Sequence, residues 1–234
     1  MEVVARCDPR GRTVLPVVRA SGQLAVRRTG PGTVHLVGTA FGPLGGDDAE
    51  IRLVVEEGAR LTVHSVAAAV VLPARGASPP SRQAVRAEVA GALALALEPT
   101  VVTARARHVA ELQVDLTETG ELTATEQVLL GRIDEQPGRW TGTTRVVRAG
   151  RPLLHTTVGL GPEEPAWLPP VTPRAYVSTV RVGDPRPEVA TGVDAVRLPL
   201  PGGWVGTAWA GELHEATARL ASVTREPELV QVAR

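Results

Sequence analysis

The sequence predicts a mainly β protein whose short strands form a stacked or helically wound body, either β-helix-like or a distorted sandwich, with one or two short helices. Three observations favour this fold class. A unit made of a strand, a glycine and a second strand recurs along the chain, the strands in it are short, and helix signals are few before residue 205. Strands of about five or six residues are the usual length in β proteins.

The recurring unit is clearest in residues 53–63, 85–95 and 112–125, and weaker copies begin at Gly22 and Gly150. Its corner glycines stand at positions 22, 58, 91, 120 and 150, so the spacings are 36, 33, 29 and 30 residues. A glycine at each corner implies a positive φ, which residues with a Cβ resist. One such unit cannot bury its own apolar face, and stacking of successive units solves that problem. The alternative is an ordinary β-sandwich whose glycine spacing is accidental.

Residues 81–97 allow two interpretations. Ser81 is suited to cap the start of a helix, and alanine, the best helix former, is plentiful in this segment. The match of residues 85–95 to the recurring unit favours strands instead. We therefore predict that this segment forms two strands around Gly91.

The clearer helix signal lies near the C-terminus, in residues 212–225. Leu213, Ala216, Leu220 and Val223 recur there at helical spacing, and Pro227 follows the predicted end. Residues 162–173 contain five prolines and predict a loop. We expect a single domain over residues 1–234, in which a β-repeat body (1–160) carries a C-terminal extension (161–234) packed on it.

Composition limits the function classes. Apolar residues make up 43% of the 234 residues against 21% charged, as in ordinary globular proteins. Basic and acidic residues are equal at 25 each, so the basic excess needed for nucleic acid or acidic membranes is lacking. Cys7 is the only cysteine, which rules out an intrachain disulfide. With no signal-peptide pattern and no apolar run near 20 residues, we expect a cytoplasmic protein.

Motifs of common enzymes are missing from the sequence. It contains no G-x-S-x-G elbow, no phosphate-binding G-x-x-x-x-G-K-[ST] loop and no H-E-x-x-H zinc helix. The five histidines are scattered singly. A carbohydrate-active β-helix usually presents paired carboxylates with stacking aromatics, and the aromatic content of 3% argues against that class. We predict no catalytic residues and no tightly bound cofactor.

Three segments, in this order, resemble the urease accessory protein UreD (UreH) family. They are the glycine-rich turn Gly42-Pro-Leu-Gly-Gly-Asp47, the glycine-cornered strands of residues 51–65, and the run Glu126-Gln-Val-Leu-Leu-Gly-Arg132, which is similar to the family's E-x-x-x-L-G-R element. The resemblance covers residues 18–155, while residues 160–234 match poorly. Residues 67–71 also depart from the family pattern, because they lack its Thr-Lys pair.

The resemblance implies a non-catalytic scaffold that helps to load nickel into urease. A member of this family is expected to join UreF and the GTPase UreG, to dock on apo-urease, and to form a possible dimer of heterocomplexes. It is also expected to give Ni²⁺ a transient internal passage. The competing interpretation is a repeat-built β module for binding or assembly with no metal role.

Glu126 is the first candidate for lining such a passage. A passage needs ligands that hold the cation briefly, so oxygen donors suit it better than thiolates or imidazole clusters. Strand alternation places Glu126 on the same face as Leu122, Ala124 and Val128. A carboxylate on an apolar face costs several kcal/mol unless it is paired or hydrated. The alternative explanation is a buried ion pair with an arginine such as Arg132 or Arg105.

Three further residues complete the predicted set of transient nickel ligands. Asp115 alternates with Leu112, Val114 and Leu116, so we expect it in solvent unless that face lines the passage. Asp47 ends a tight turn, where aspartate is favoured simply because it caps the backbone. His64 shares the parity of Thr62 and would add a nitrogen ligand.

Overall fold

The computed structural model describes residues 1–162 and 173–225, and these form eighteen strands and one helix. The elements are β1 (Glu2–Cys7), β2 (Thr13–Arg19), β3 (Leu24–Gly30), β4 (Thr33–Gly38), β5 (Asp48–Val55), β6 (Arg60–Ser65), β7 (Ala69–Val71), β8 (Ser81–Val89), β9 (Ala92–Ala96), β10 (Thr100–Val102), β11 (Arg107–Leu116), β12 (Glu121–Leu130), β13 (Arg139–Arg148), β14 (Arg151–Leu160), β15 (Ala175–Val182), β16 (Ala190–Gly192), β17 (Ala195–Leu200), β18 (Gly203–Ala210) and α1 (Leu213–Thr224).

Two sheets share these strands. Sheet A has the order β14-β13-β11-β8-β5-β1-β2, and sheet B has the order β16-β17-β18-β15-β12-β9-β6-β4-β3, with β10 paired to β12 and β7. The strands β5, β8, β11 and β13 are parallel neighbours in sheet A, and β4, β6, β9 and β12 are parallel neighbours in sheet B. The chain therefore winds repeatedly from one sheet to the other, which confirms the predicted stacked β-structure.

Three turns of the winding cross from sheet A to sheet B at a glycine. The crossings are β5 to β6 at Gly58, β8 to β9 at Gly91, and β11 to β12 at Gly120. Residues 81–97 thus form the strands β8 and β9, as the recurring unit predicts, and the helical alternative is wrong. The weak copy at Gly150 is different, since this glycine lies in the hairpin between β13 and β14 of one sheet.

The corner glycines are required for two different physical reasons. Gly58 has φ +73°, as predicted, and a residue with a Cβ would be strained in this left-handed conformation. Gly91 and Gly120 do not have positive φ, so that part of the prediction is wrong. At these two corners the preceding turn of the winding, or rung, lies too close for any side chain. A Cβ on Gly91 would lie 2.1 Å from the carbonyl oxygen of Ala59, and one on Gly120 would lie 2.4 Å from that of Val89.

The core lies between the sheets. Residues that pair in register on neighbouring strands form continuous buried apolar rows, or ladders, across each sheet. This follows because successive rungs place corresponding residues of the recurring unit side by side. The ladder of sheet A contains Leu53, Ala87, Val114 and Val146, and that of sheet B contains Leu61, Leu93, Leu122 and Val182. The apolar residues of the recurring unit are therefore the residues that hold the stack together.

The C-terminal third extends sheet B and covers part of it. Strand β15 pairs antiparallel with β12, and β18 and β17 continue the sheet. Helix α1 buries Ala216, Leu220 and Val223 against β15 and β18, which confirms the predicted helix and its apolar face. Among the described residues no helix has the length and apolar character to cross a membrane. The predicted loop at residues 162–173 lies almost entirely outside the described residues.

Candidate functional site

A cavity of about 80 Å³ lies between the two sheets. It is bounded by β8, β11 and β13 of sheet A and by β9, β12 and β15 of sheet B. This volume has room for several water molecules, since each needs about 10–15 Å³. Its polar lining residues are Gln83, Glu98, Thr100, His108, Glu111, Thr125, Glu126, Gln127, Thr144 and Ser178. Polar side chains thus interrupt the apolar core at this place.

Glu126 is a half-buried carboxylate that lines this cavity. It lies on β12 in the same alternation as the buried residues Ala124 and Val128, and its register neighbour on β15 is Ser178. Burial raises the pKa of Glu126 to about 7. Glu126 forms no ion pair with any described residue, and Arg132, one of its proposed partners, instead contacts Glu135 at 3.0 Å. The carboxylate therefore loses part of its hydration without a compensating positive charge among those residues.

The cavity reaches the protein surface at Glu98. This residue lines the cavity, and its side chain is exposed. Its backbone N–H donates a hydrogen bond of 2.8 Å to Ser65 Oγ, which fixes the chain between β9 and β10. The other carboxylate near the opening, Glu111, is neutralised by Arg82 at 2.7 Å, and the pKa of Glu111 is accordingly lowered. Glu98 has no ion-pair partner in the part of the chain that the structure describes.

His108 is a buried polar residue of the cavity that the sequence prediction missed. It lies on β11 in sheet A, across the cavity from Glu126 in sheet B, and its side chain is 4% exposed. Its Nδ1 lies 2.9 Å from the Oγ of Ser81, which is fully buried. Burial lowers the pKa of His108 to about 4, so the ring is neutral at pH 7. Strand alternation would have revealed it, since it shares the parity of Leu112 and Val114.

The Ser81–His108 contact does not have the geometry of a nucleophilic pair. In a serine hydrolase the attacking hydroxyl contacts Nε2 of the histidine, and a carboxylate contacts Nδ1. Here the hydroxyl contacts Nδ1, and Ser81 has no exposed surface from which to attack a substrate. The pair therefore orients the imidazole ring and does not activate the serine.

An aromatic cluster lies next to the cavity. Tyr176 is the register neighbour of Val128 and lies between Trp140 at 5.5 Å and Trp209 at 4.8 Å, measured between ring centroids. Its pKa is raised to about 12, mainly by burial and secondarily by the nearby charge of Glu126. These aromatic residues of the C-terminal third pack the core beside the polar cavity.

The other three predicted ligands do not lie at the cavity. Asp115 is exposed on the outer face of sheet A, as its alternation with Leu112 and Val114 predicts. His64 alternates with the buried residues of β6 and stacks on His35, with 5.0 Å between ring centroids. Among the described residues, no group of three or more His, Cys, Asp or Glu side chains is placed to hold a metal ion.

Asp47 stabilises the turn in which it lies by hydrogen bonding to the backbone. Its Oδ2 accepts a hydrogen bond of 2.8 Å from the backbone N–H of Leu44, and its own N–H donates to the Leu44 carbonyl at 2.9 Å. We expect Asp47→Ala to lower the free energy of unfolding by about 1 kcal/mol, a typical value for one lost hydrogen bond. Asp47→Asn keeps an acceptor oxygen and should unfold close to wild type. Urea titrations of both variants check this, and equal losses would contradict the proposed hydrogen bond.

Comparison with known proteins identifies the family. The model of the UreD urease accessory protein family matches residues 1–220. Urease accessory protein UreD 1 of Saccharopolyspora erythraea is 43% identical over 134 residues, which are 56% of this chain and 52% of that protein. UreD of Frankia alni is 37% identical over 90% of this chain and 80% of its own length. UreD of Streptomyces coelicolor is 37% identical over 84% and 80%, respectively.

The family match extends beyond the segment in which the sequence resemblance was recognised. It continues past residue 160, where poor similarity was expected, and includes β15 to β18 and the first part of α1. The strands that complete the cavity wall at Ser178 therefore belong to the family's common body. The chain is a member of the UreD family of urease accessory proteins.

Proposed function

We propose that this chain is a non-catalytic accessory protein that delivers Ni²⁺ to apo-urease in the cytoplasm, in complex with UreF and the GTPase UreG. Ni²⁺ passes through the cavity between the sheets and contacts Glu126 on the way. The single observation that carries this proposal is the position of Glu126, a half-buried carboxylate that lines the cavity without an ion-pair partner among the described residues.

The electrostatics of the cavity fit a divalent cation. A desolvated carboxylate without a partner destabilises the folded protein, and a bound cation would offset that cost. Carboxylate and water oxygens hold such a cation without the strong binding of a thiolate cluster, so the ion can leave again. Glu98, at the opening, would raise the local concentration of cations there. The two carboxylates thus mark an entrance and an interior contact of one path.

Urease activation tests the proposal directly. The urease subunits, UreF and UreG are produced together with this chain or with its Glu126→Gln variant, and nickel content and activity of the purified urease are measured. We expect Glu126→Gln to reduce both roughly tenfold or more, by analogy with other losses at metal sites. Glu118→Gln is the control, because Glu118 is exposed in the turn before β12.

Co-purification distinguishes a lost passage from a lost complex. An affinity-tagged chain should retain UreF, UreG and urease equally well with either glutamine variant, because Glu126 is inside the protein. Full urease activation by Glu126→Gln would refute the role of Glu126. Failure of the wild-type chain to retain any of these partners would refute the proposed assembly and favour a module with no role in urease maturation.

A further inference from the structure

The imidazole of His108 has no role in the function proposed above. We infer that His108 makes the cavity selective for Ni²⁺ and similar late transition metals over Mg²⁺ and Ca²⁺, with its Nε2 as a nitrogen ligand opposite the carboxylate of Glu126. This inference rests on the proposed function, because it assigns the selectivity of the same cavity. It makes Ser81 the positioning residue that presents the correct nitrogen.

Hydrogen bonding around Ser81 decides which nitrogen of His108 is available. Ser81 Oγ lies 3.3 Å from the carbonyl oxygen of Arg107 and 2.9 Å from His108 Nδ1. A serine hydroxyl has one hydrogen, and a carbonyl oxygen can only accept. Both contacts are hydrogen bonds only if the hydroxyl donates to Arg107 and the Nδ1–H of His108 donates to Ser81. In that tautomer Nε2 carries the lone pair.

The position of the ring makes that lone pair usable. His108 lines the cavity, and in the described part of the chain its Nε2 has no hydrogen-bond partner. On its two sides the register neighbours are Ser81 on β8 and the buried Trp140 on β13, which restrict how the ring can turn. A metal-binding histidine commonly donates its second N–H to a neighbouring oxygen in this way.

A nitrogen ligand gives the cavity a selectivity that carboxylates alone lack. Carboxylate, carbonyl and water oxygens suit Mg²⁺ and Ca²⁺ as well as nickel, whereas imidazole favours nickel, copper, zinc and iron. Mg²⁺ also keeps most of its water and is bound through few protein ligands. One imidazole opposite one carboxylate would therefore favour a late transition metal and still leave the remaining coordination positions to exchangeable water.

Metal titrations of the purified full-length chain test this inference. Binding of Ni²⁺ and of Mg²⁺ is measured by calorimetry for wild type, His108→Gln, Ser81→Ala and the control His155→Gln, whose side chain is exposed on β14. We expect His108→Gln to weaken Ni²⁺ binding about tenfold and to leave Mg²⁺ binding unchanged. Ser81→Ala should weaken Ni²⁺ binding less, and His155→Gln should match wild type.

Nuclear magnetic resonance of the wild-type imidazole rings gives a readout that needs no variant. Their ¹⁵N shifts should show protonated Nδ1 for His108 in the apo protein, and paramagnetic Ni²⁺ should broaden the His108 signals at low occupancy. Broadening confined to other histidines would overturn the inference even if His108→Gln fails to fold. Ser81→Ala should return a mixture of tautomers, and an unchanged tautomer would refute the positioning role.

The variants also separate this inference from the proposed function. An unchanged ratio of Ni²⁺ to Mg²⁺ affinity in folded His108→Gln, together with loss of Ni²⁺ binding in Glu126→Gln, would refute the role of His108 alone. Unchanged Ni²⁺ binding in both variants would refute the cavity as a nickel site altogether.

Discussion

Gly91→Ala is expected to lower the free energy of unfolding by about 4 kcal/mol, near the upper end for single substitutions. The added Cβ would lie 2.1 Å from the carbonyl oxygen of Ala59 and 2.6 Å from that of Glu56, and both atoms belong to the backbone of the preceding rung. Neither can move without separating the parallel strands. For a chain of this length the loss corresponds to a fall in Tm of roughly 10 °C, which thermal unfolding followed by circular dichroism measures.

Two other glycines provide graded controls. Gly22 has φ +59° with open space around it, and Gly58 has φ +73° with the side chain of Cys7 at 3.5 Å. Alanine at either position meets only the left-handed backbone penalty of about 1–2 kcal/mol, because a contact of 3.5 Å at Gly58 is an ordinary van der Waals contact. Gly91→Ala is therefore expected to destabilise the protein more than alanine at Gly58 or Gly22. A smaller loss for Gly91→Ala than for Gly58→Ala would show that the rungs are not in close contact at that corner.

Glu126→Gln is expected to stabilise the isolated protein at pH 8 while it impairs nickel delivery. The pKa of Glu126 is raised from 4.5 to about 7 in the folded protein, so between these values the folded state binds more protons than the unfolded chain. Stability from this group therefore falls as the pH rises from about 4.5 to about 7, and the loss remains above that range. A pKa shift of this size corresponds to a loss of about 3 kcal/mol in the free energy of unfolding at pH 8. Glutamine is neutral and does not carry this loss, so the variant should be more stable by about that amount.

The pH dependence of the difference identifies Glu126 as its source. Tm values of wild type and Glu126→Gln should agree near pH 4 and diverge by roughly 5–10 °C at pH 8. His108, whose pKa is lowered to about 4, adds the opposite slope between about pH 4 and 6.5, but it is present in both proteins and cancels. Glu118→Gln should follow wild type throughout. A constant difference across this range would mean that Glu126 is hydrated in the folded state.

Addition of Ni²⁺ supplies a further check on the same pair of proteins. A ligand that binds only the folded state raises Tm in proportion to the logarithm of its concentration. Ni²⁺ should therefore raise the Tm of wild type at pH 8 and narrow its gap to Glu126→Gln. Equal shifts for both proteins would place the bound metal elsewhere.

Strand alternation predicted the fold and the Glu126 side of the cavity. The residues Leu53 to Val63 showed both the recurring unit and its apolar faces, since a period of two is visible in a single strand. The same rule placed Glu126 inside and Asp115 outside. It would have placed His108 inside as well, had the strand been extended back from Leu112 to residue 107, where it begins.

Other features depend on contacts between rungs, which no single strand reveals. Gly91 and Gly58 read alike in the sequence, yet one is required by a neighbouring carbonyl and the other by its own φ. The pairing of Ser81 with His108 joins residues on different rungs. His64 shows the reverse case: its strand position makes it a predicted ligand, and only the sheet order shows that it stacks on His35, away from the cavity.

The two outermost strands of sheet A each contain a proline, Pro16 in β2 and Pro152 in β14. Proline has no N–H to donate, so it interrupts the hydrogen-bond row that an edge strand offers to another chain. Stacked parallel rungs are otherwise templates for end-to-end growth into fibrils. These prolines should disfavour self-association through either edge of that sheet.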